Sequence, residues 1–240
     1  MVAEKALQTL LKGMADLQDY GDHADLTITC GSDTYKVHKA IVCSQSEFFK
    51  LACRKHTDFG GEFKEAQSSI IEIPSRDLDA NIAEPEDFKW DTDAEDPKCV
   101  KLMIHYLYHL DYLEVETAEV KERNRLEENF DETHVLKEGL LIDHAKMYAM
   151  GDKYGVSGLK DLALRKYQEA YEHTSEGFAN SMIVIYTSTI DNDMDLRNVI
   201  IKILSKDMNN LMSKPQINQN VKDLPLLSHT LLRKQLRLSG

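Results

Sequence analysis

From Asp25 to Phe49 the chain reads DLTITCGSDTYKVHKAIVCSQSEFF, a stretch that changes its structural habit twice. Leu26, Ile28 and Cys30 alternate with polar residues, as the two faces of a strand require. Gly31-Ser32-Asp33 supplies a turn, with Gly31 free to take a torsion other residues avoid, and Tyr35-Lys36-Val37-His38 returns as a second strand. The pattern predicts a β-hairpin. Alternation then stops. Ala40-Ile41-Val42-Cys43 begins a helical stretch, and Ser44 or Ser46 can cap a second helix carrying Phe48, Phe49, Leu51 and Ala52.

Working outward, residues 3–18 place Ala3, Ala6, Leu7, Leu10, Leu11, Met14 and Leu17 at spacings of three and four, which predicts an amphipathic helix ended by Tyr20-Gly21-Asp22. On the other side, Ser69 to Ile73 reads as a short strand closed by Pro74. Pro97 suits the first residue of a helix whose face is Val100, Met103, Ile104, Leu107 and Tyr108. Two further helices are expected at 139–151 (Leu141, Ala145, Tyr148, Ala149 inward) and 157–172 (Leu159, Leu162, Ala163, Tyr167 inward), with Gly151 and Gly155 bracketing the turn. Beyond Thr174 the pattern is helical: Ser175 is expected to cap one helix and Asp193 to start another. The tail after Pro215 is Asn/Gln-rich and then apolar–basic, interrupted by Pro225. The expected class is α+β and helix-dominated, with a short-stranded sheet near the N-terminal half.

The 240 residues are 42% hydrophobic and 29% charged, an ordinary globular composition. The net charge of −12 argues against a nucleic-acid surface, which needs clustered cations. The excess of acid over base sits in two places. Residues 77–96 carry nine acids and one Lys, and residues 111–138 carry ten acids and four bases, leaving the rest of the chain close to neutral. Both segments read as solvated and mobile. No apolar run approaches the roughly 20 residues of a membrane span, and the start MVAEKALQTL lacks the apolar core of an export signal. Cys30, Cys43, Cys53 and Cys99 form no CxxC pair, which suits reduced thiols in the cytoplasm or nucleus.

Sites of chemistry are sparse. His105 and His109 have the spacing of two metal ligands on one helical face, but no third ligand stands close in sequence, and they read as solvent- or interface-facing. Cys30 and His38 flank the hairpin without an orienting third group or an oxyanion segment, so a thiol enzyme is disfavoured. Gly60-Gly61 lacks the Lys-Ser/Thr of a phosphate loop, and neither acidic segment has a calcium-loop pattern. No cofactor is expected. The basic end of the tail, Arg233, Lys234 and Arg237, reads as a helix packed on the body rather than a membrane anchor.

Several separated motifs together resemble the BTB/POZ domain. They are Asp25-Leu26-Thr27, then Tyr35-x-Val37-His38-Lys39-Ala40, Ser44-x-Ser46-x-Phe48-Phe49, the strand Ile70 to Ile73, Tyr106-Leu107-Tyr108, and Lys153-Tyr154-Gly155-Val156 through Leu159-Lys160 to Leu162. The resemblance covers roughly residues 20–172, and its style is most similar to stand-alone BTB proteins of filamentous fungi. It implies an N-terminal helix at 1–19 that can serve as a dimer arm. A BTB/POZ-like domain follows at 20–174, with acidic insertions at 76–97 and 114–138, and then a helical extension and tail at 175–240. No zinc-finger, kelch or MATH module of the kind many relatives carry is expected within these 240 residues.

The resemblance further implies a non-enzymatic adaptor that pairs with itself, and in many members recruits a cullin-3-type scaffold of a ubiquitin ligase to a client. Leu7, Leu10, Leu11 and Met14 would lie at the dimer interface, and Asp25 and Lys39 would pair in a pocket there; an ordinary structural ion pair is the alternative. Phe63-Lys64-Glu65 resembles the apolar-x-Glu motif of cullin-binding members, with Phe63 as anchor and Glu65 beside it, or else Phe63 is a loop residue packed on the body. A scaffold or transcription-associated oligomerisation module without cullin binding is the competing function.

Overall fold

The computed structural model describes residues 2–54, 69–76, 92–112, 140–173, 175 and 177–236. The Phe63-Lys64-Glu65 motif and nearly all of the two acidic segments lie outside the described residues. Helix α1 runs Val2–Tyr20, and β1 (Leu26–Cys30) and β2 (Asp33–Val37) form the antiparallel hairpin, with Leu26 opposite Val37 and Cys30 opposite Asp33. Gly31 takes the turn at φ +57°. Strand β3 (Ile70–Ile73) joins the other edge of β1 in parallel, Thr27 opposite Ile70, in the order β2-β1-β3. Parallel pairing requires a crossover between the strands, and α2 (Lys39–Gln45) and α3 (Glu47–Ala52) lie in it. Leu26, Ile28, Cys30, Ile71 and Ile73 alternate into the core.

Helix α4 (Pro97–His109) is central. Cys99, Val100, Leu102, Met103, Ile104, Tyr106, Leu107 and Tyr108 are all buried, more than one face of a surface helix supplies. Pro97 is its first residue, and the Asp96 carboxylate caps it by accepting from the Lys98 N–H at 2.9 Å. Next come α5 (Leu140–Lys153) and α6 (Ser157–His173), whose inward residues are those the periodicity marks. Gly155, at φ +61°, makes the turn between them. Gly151 does not. It lies inside α5, where a Cβ would meet the Lys160 backbone N at 2.7 Å, so its role is close helix–helix approach.

The C-terminal part is α7 (Phe178–Ser188), α8 (Asp195–Lys206), α9 (Met208–Met212), α10 (Pro215–Asp223) and α11 (Pro225–Gln235). Three expectations are corrected here. Gly177, not Ser175, occupies the cap position of α7, because its left-handed φ of +70° turns the chain into the helix. Asp193 precedes α8 by two residues, and its carboxylate, besides accepting from the Asp195 N–H at the head of the helix, is held by the Tyr148 hydroxyl at 2.6 Å and the Lys160 ammonium at 2.7 Å. Pro225 does not interrupt a tail but opens α11, where its missing N–H costs nothing, and Leu227 and Leu231 of that helix are buried on the body. Among the described residues no helix is long and apolar enough to cross a membrane.

Candidate protein-interaction surface

Helix α1 divides along its length. Met14 and Leu17 pack against the core on the side of α4, and Leu11 is half-buried, whereas Leu7 and Leu10 are 53% and 61% exposed. An amphipathic helix whose apolar face runs past its own domain leaves leucines in water, an unfavourable state worth up to about 2 kcal/mol per side chain if a partner covers them. Own-domain packing and a free apolar face are therefore both present, on different turns.

Asp25 and Lys39 do come together, but not as two facing side chains. The Asp25 carboxylate accepts from the backbone N–H of Lys39 at 2.7 Å and so caps α2, for which the local cap residue His38 makes no side-chain cap bond. The Lys39 ammonium turns away to the Ser69 hydroxyl at 3.0 Å. Asp25 is exposed in the single chain, not buried. The expected ion pair is thus replaced by a helix cap at the surface end of the hairpin.

The sequence motifs meet as structural joints. His38 Nε2 lies 2.6 Å from Asp22 O, and its backbone N–H and Nδ1 both reach the Tyr108 hydroxyl. Gln45 donates to Leu107 O at 2.6 Å. Ser46 caps α3 by accepting from the Phe49 N–H, and its own hydroxyl donates to Tyr154 O at 2.6 Å. The N–H groups of Glu47 and Phe48 donate to the carbonyls of Gly155 and Tyr154. The first turn of α3 is thereby bolted to the α5–α6 turn, with its orphan N–H groups satisfied by carbonyls rather than water.

Among the described residues, the two pairs weighed for catalysis or metal binding are not assembled into such sites. Cys30 and His38 stand at opposite ends of the hairpin, about 16 Å apart along the strands at 3.3 Å per residue. Burial, with Glu95 next, pushes the Cys30 thiol up to about 11, away from thiolate chemistry. His105 and His109 stack with ring centroids 3.9 Å apart, half-buried beside α1, and burial followed by His109 holds His105 below the usual histidine range. Among the described residues no group of three or more His, Cys, Asp or Glu is placed to hold a metal.

Two features escaped the sequence reading. The end of the first acidic segment is part of the fold: Glu95 and Asp96 are buried and pair with Lys153 at 2.7 Å and Lys146 at 3.0 Å, both on α5. Burial alone would raise the Asp96 carboxyl, and Lys146 reverses this and holds it below the usual carboxylate range. Arg197 is 1% exposed. Its guanidinium donates to Thr189 O at 2.7 Å and lies over the Tyr186 ring at 4.8 Å. Its sequence position, three residues before Ile200 and seven before Leu204 on the buried stripe of α8, was the available signal.

A hairpin, a strand added in parallel, a buried central helix and a helical pair bolted to α3 form one arrangement, and the sequence profile of the BTB/POZ domain matches it over residues 14–170. The chain belongs to the BTB/POZ family. BTB/POZ domains are protein–protein interaction modules. The match begins at Met14, so Leu7, Leu10 and Leu11 precede it, and α7 to α11 follow it. The chain is also similar to Kelch-like protein 26 of Danio rerio, 32% identical over 65 residues, which is 27% of this chain and 10% of that relative. The BTB/POZ chain described here thus spans about a tenth of that relative's length.

Proposed function

We propose that this BTB/POZ protein is a non-enzymatic adaptor of the cytoplasm or nucleus, which pairs with a second copy of itself through α1 and brings a client protein to a cullin-3-type ubiquitin ligase. One observation carries the pairing: Leu7 and Leu10 are exposed on the helix whose next apolar turns, Met14 and Leu17, are packed. Burying a leucine-bearing helix face on a second copy removes that surface from water. Asp25 and Lys39, at the surface end of the hairpin, complete the proposed interface.

Sedimentation of the full chain tests the pairing. A dimer at micromolar concentration is expected, converted to a monomer by Leu7→Glu with Leu10→Glu. A well-behaved wild-type monomer overturns it. The scaffold contact is assigned to Phe63 as anchor and Glu65 at the rim, with the helices after Ser175 widening the footprint. Truncating an aromatic hot spot costs about 2 kcal/mol, roughly thirtyfold in affinity. Phe63→Ala should weaken binding to the host's cullin by that much, and Glu65→Ala by less, with dimerisation unchanged in both. No binding by the wild type leaves an oligomerisation scaffold as the function.

A further inference from the structure

Cys43 lies in α2 and Cys53 is the C-terminal cap residue of α3, and the two meet at one carbonyl. The Cys43 thiol donates to Phe49 O at 3.4 Å, and the backbone N–H of Cys53 donates to the same oxygen at 3.0 Å. After burial, Cys53 is the neighbour that most raises the Cys43 thiol. Both side chains are half-buried, within reach of a small oxidant, whereas Cys30 and Cys99 are buried on other elements. We propose that Cys43 and Cys53 form a reversible intramolecular disulfide, a redox modification site that links α2 to the end of α3.

The oxidant is a low-molecular-weight disulfide such as oxidised glutathione. One thiol loses its proton and attacks it; a protein–glutathione S–S bond forms, the S–S bond of the oxidant breaks, and one glutathione leaves as a thiolate that takes up a proton. The second protein thiol then loses its proton, attacks the mixed disulfide and releases the second glutathione. Two protein thiols are oxidised and one glutathione disulfide is reduced. Closing is favoured by proximity, since the second attack is intramolecular.

Tryptic mapping of the full-length protein after equilibration in glutathione buffers and alkylation tests this. Cleavage after Lys39, Lys50 and Arg54 puts the two cysteines on separate fragments, 40–50 and 51–54, so the cross-link appears as a joined pair. The ratio of joined to unjoined fragments should rise about tenfold for each tenfold rise in oxidised glutathione over the square of reduced glutathione, the signature of an internal disulfide. Dithiothreitol should separate the pair. In Cys43→Ser, fragment 51–54 should carry glutathione instead; in Cys53→Ser, at the half-exposed cap position, the joined pair should likewise vanish. Fragments that carry only glutathione or alkyl groups at every ratio overturn the proposal, as does a cross-link through Cys30 or Cys99.

Discussion

His38 offers its backbone N–H and its ring Nδ1 to the same Tyr108 hydroxyl, each at 2.8 Å, across 70 residues of sequence. The Asp22 carbonyl can only accept, so Nε2 carries the ring proton. The Tyr108 hydroxyl therefore accepts from the N–H and donates to Nδ1. One oxygen fixes the end of β2, the start of α2 and the last turn of α4. Tyr108→Phe leaves a buried N–H and a buried ring nitrogen without partners, a loss of about 1–3 kcal/mol. The urea midpoint should fall with the slope unchanged; an unmoved midpoint would show that water replaces the hydroxyl.

The Asp25 cap separates cleanly from an ion pair. Asp25→Ala removes the acceptor of the Lys39 N–H and should cost about 1 kcal/mol. Lys39→Ala keeps that N–H and loses only the contact to the Ser69 hydroxyl, so its effect should stay within about 0.5 kcal/mol. Denaturation of both variants measures the difference. Equal losses would restore the ion pair.

At Gly151 the usual helix rule should invert. Glycine to alanine inside a helix normally gains about 1 kcal/mol. Here the new methyl would meet Lys160 N at 2.7 Å and Lys160 Cα at 2.9 Å, backbone atoms of the partner helix. Overpacking of this kind costs about 1–3 kcal/mol. Calorimetry of Gly151→Ala should show a lowered Tm, and a raised one would mean that α5 and α6 can part without penalty.

Acid should weaken the fold through His144. Burial, with Lys166 and Lys98 adding to it, lowers this histidine to about 4, and its Nδ1 is bonded to the Tyr112 hydroxyl at 2.9 Å. The unfolded chain titrates near 6.5, so between about 6.5 and about 4 the unfolded state binds the extra proton. Stability from this group is complete above pH 6.5 and is lost as the pH falls toward 4, about 3 kcal/mol in all. His144→Gln should flatten the stability profile in that window, and parallel profiles for the two proteins would remove His144 as the cause.

What could be read in the sequence was what depends on neighbours a few residues away. The hairpin, the apolar stripe of α1, Pro97 at the head of α4 and the inward faces of α5 and α6 all follow from local periodicity and turn chemistry. Gly151 was misread because a glycine near a helix end looks the same whether it turns the chain or admits another backbone. Glu95 and Asp96 were counted with a solvated acidic run, since composition averages over residues that Lys146 and Lys153 later set apart. Of the proposed site, the exposed leucines of α1 were legible and the capping role of Asp25 was not, because a cap from fourteen residues away leaves no local pattern.

The bolt between α3 and the α5–α6 turn also orders events in time. Ser46 and Tyr154 are 108 residues apart, and the parallel pairing of β1 with β3 spans more than forty. A ribosome adds about 5–20 residues per second. The first turn of α3 therefore waits roughly 5–20 s for its carbonyl acceptors to be made, with Phe49 and Val42 uncovered meanwhile. Contacts this distant in sequence form slowly even in a finished chain. The nascent N-terminal half is consequently a substrate for chaperones until the last turn of α5 emerges, and translation speed across residues 140–156 becomes a determinant of yield.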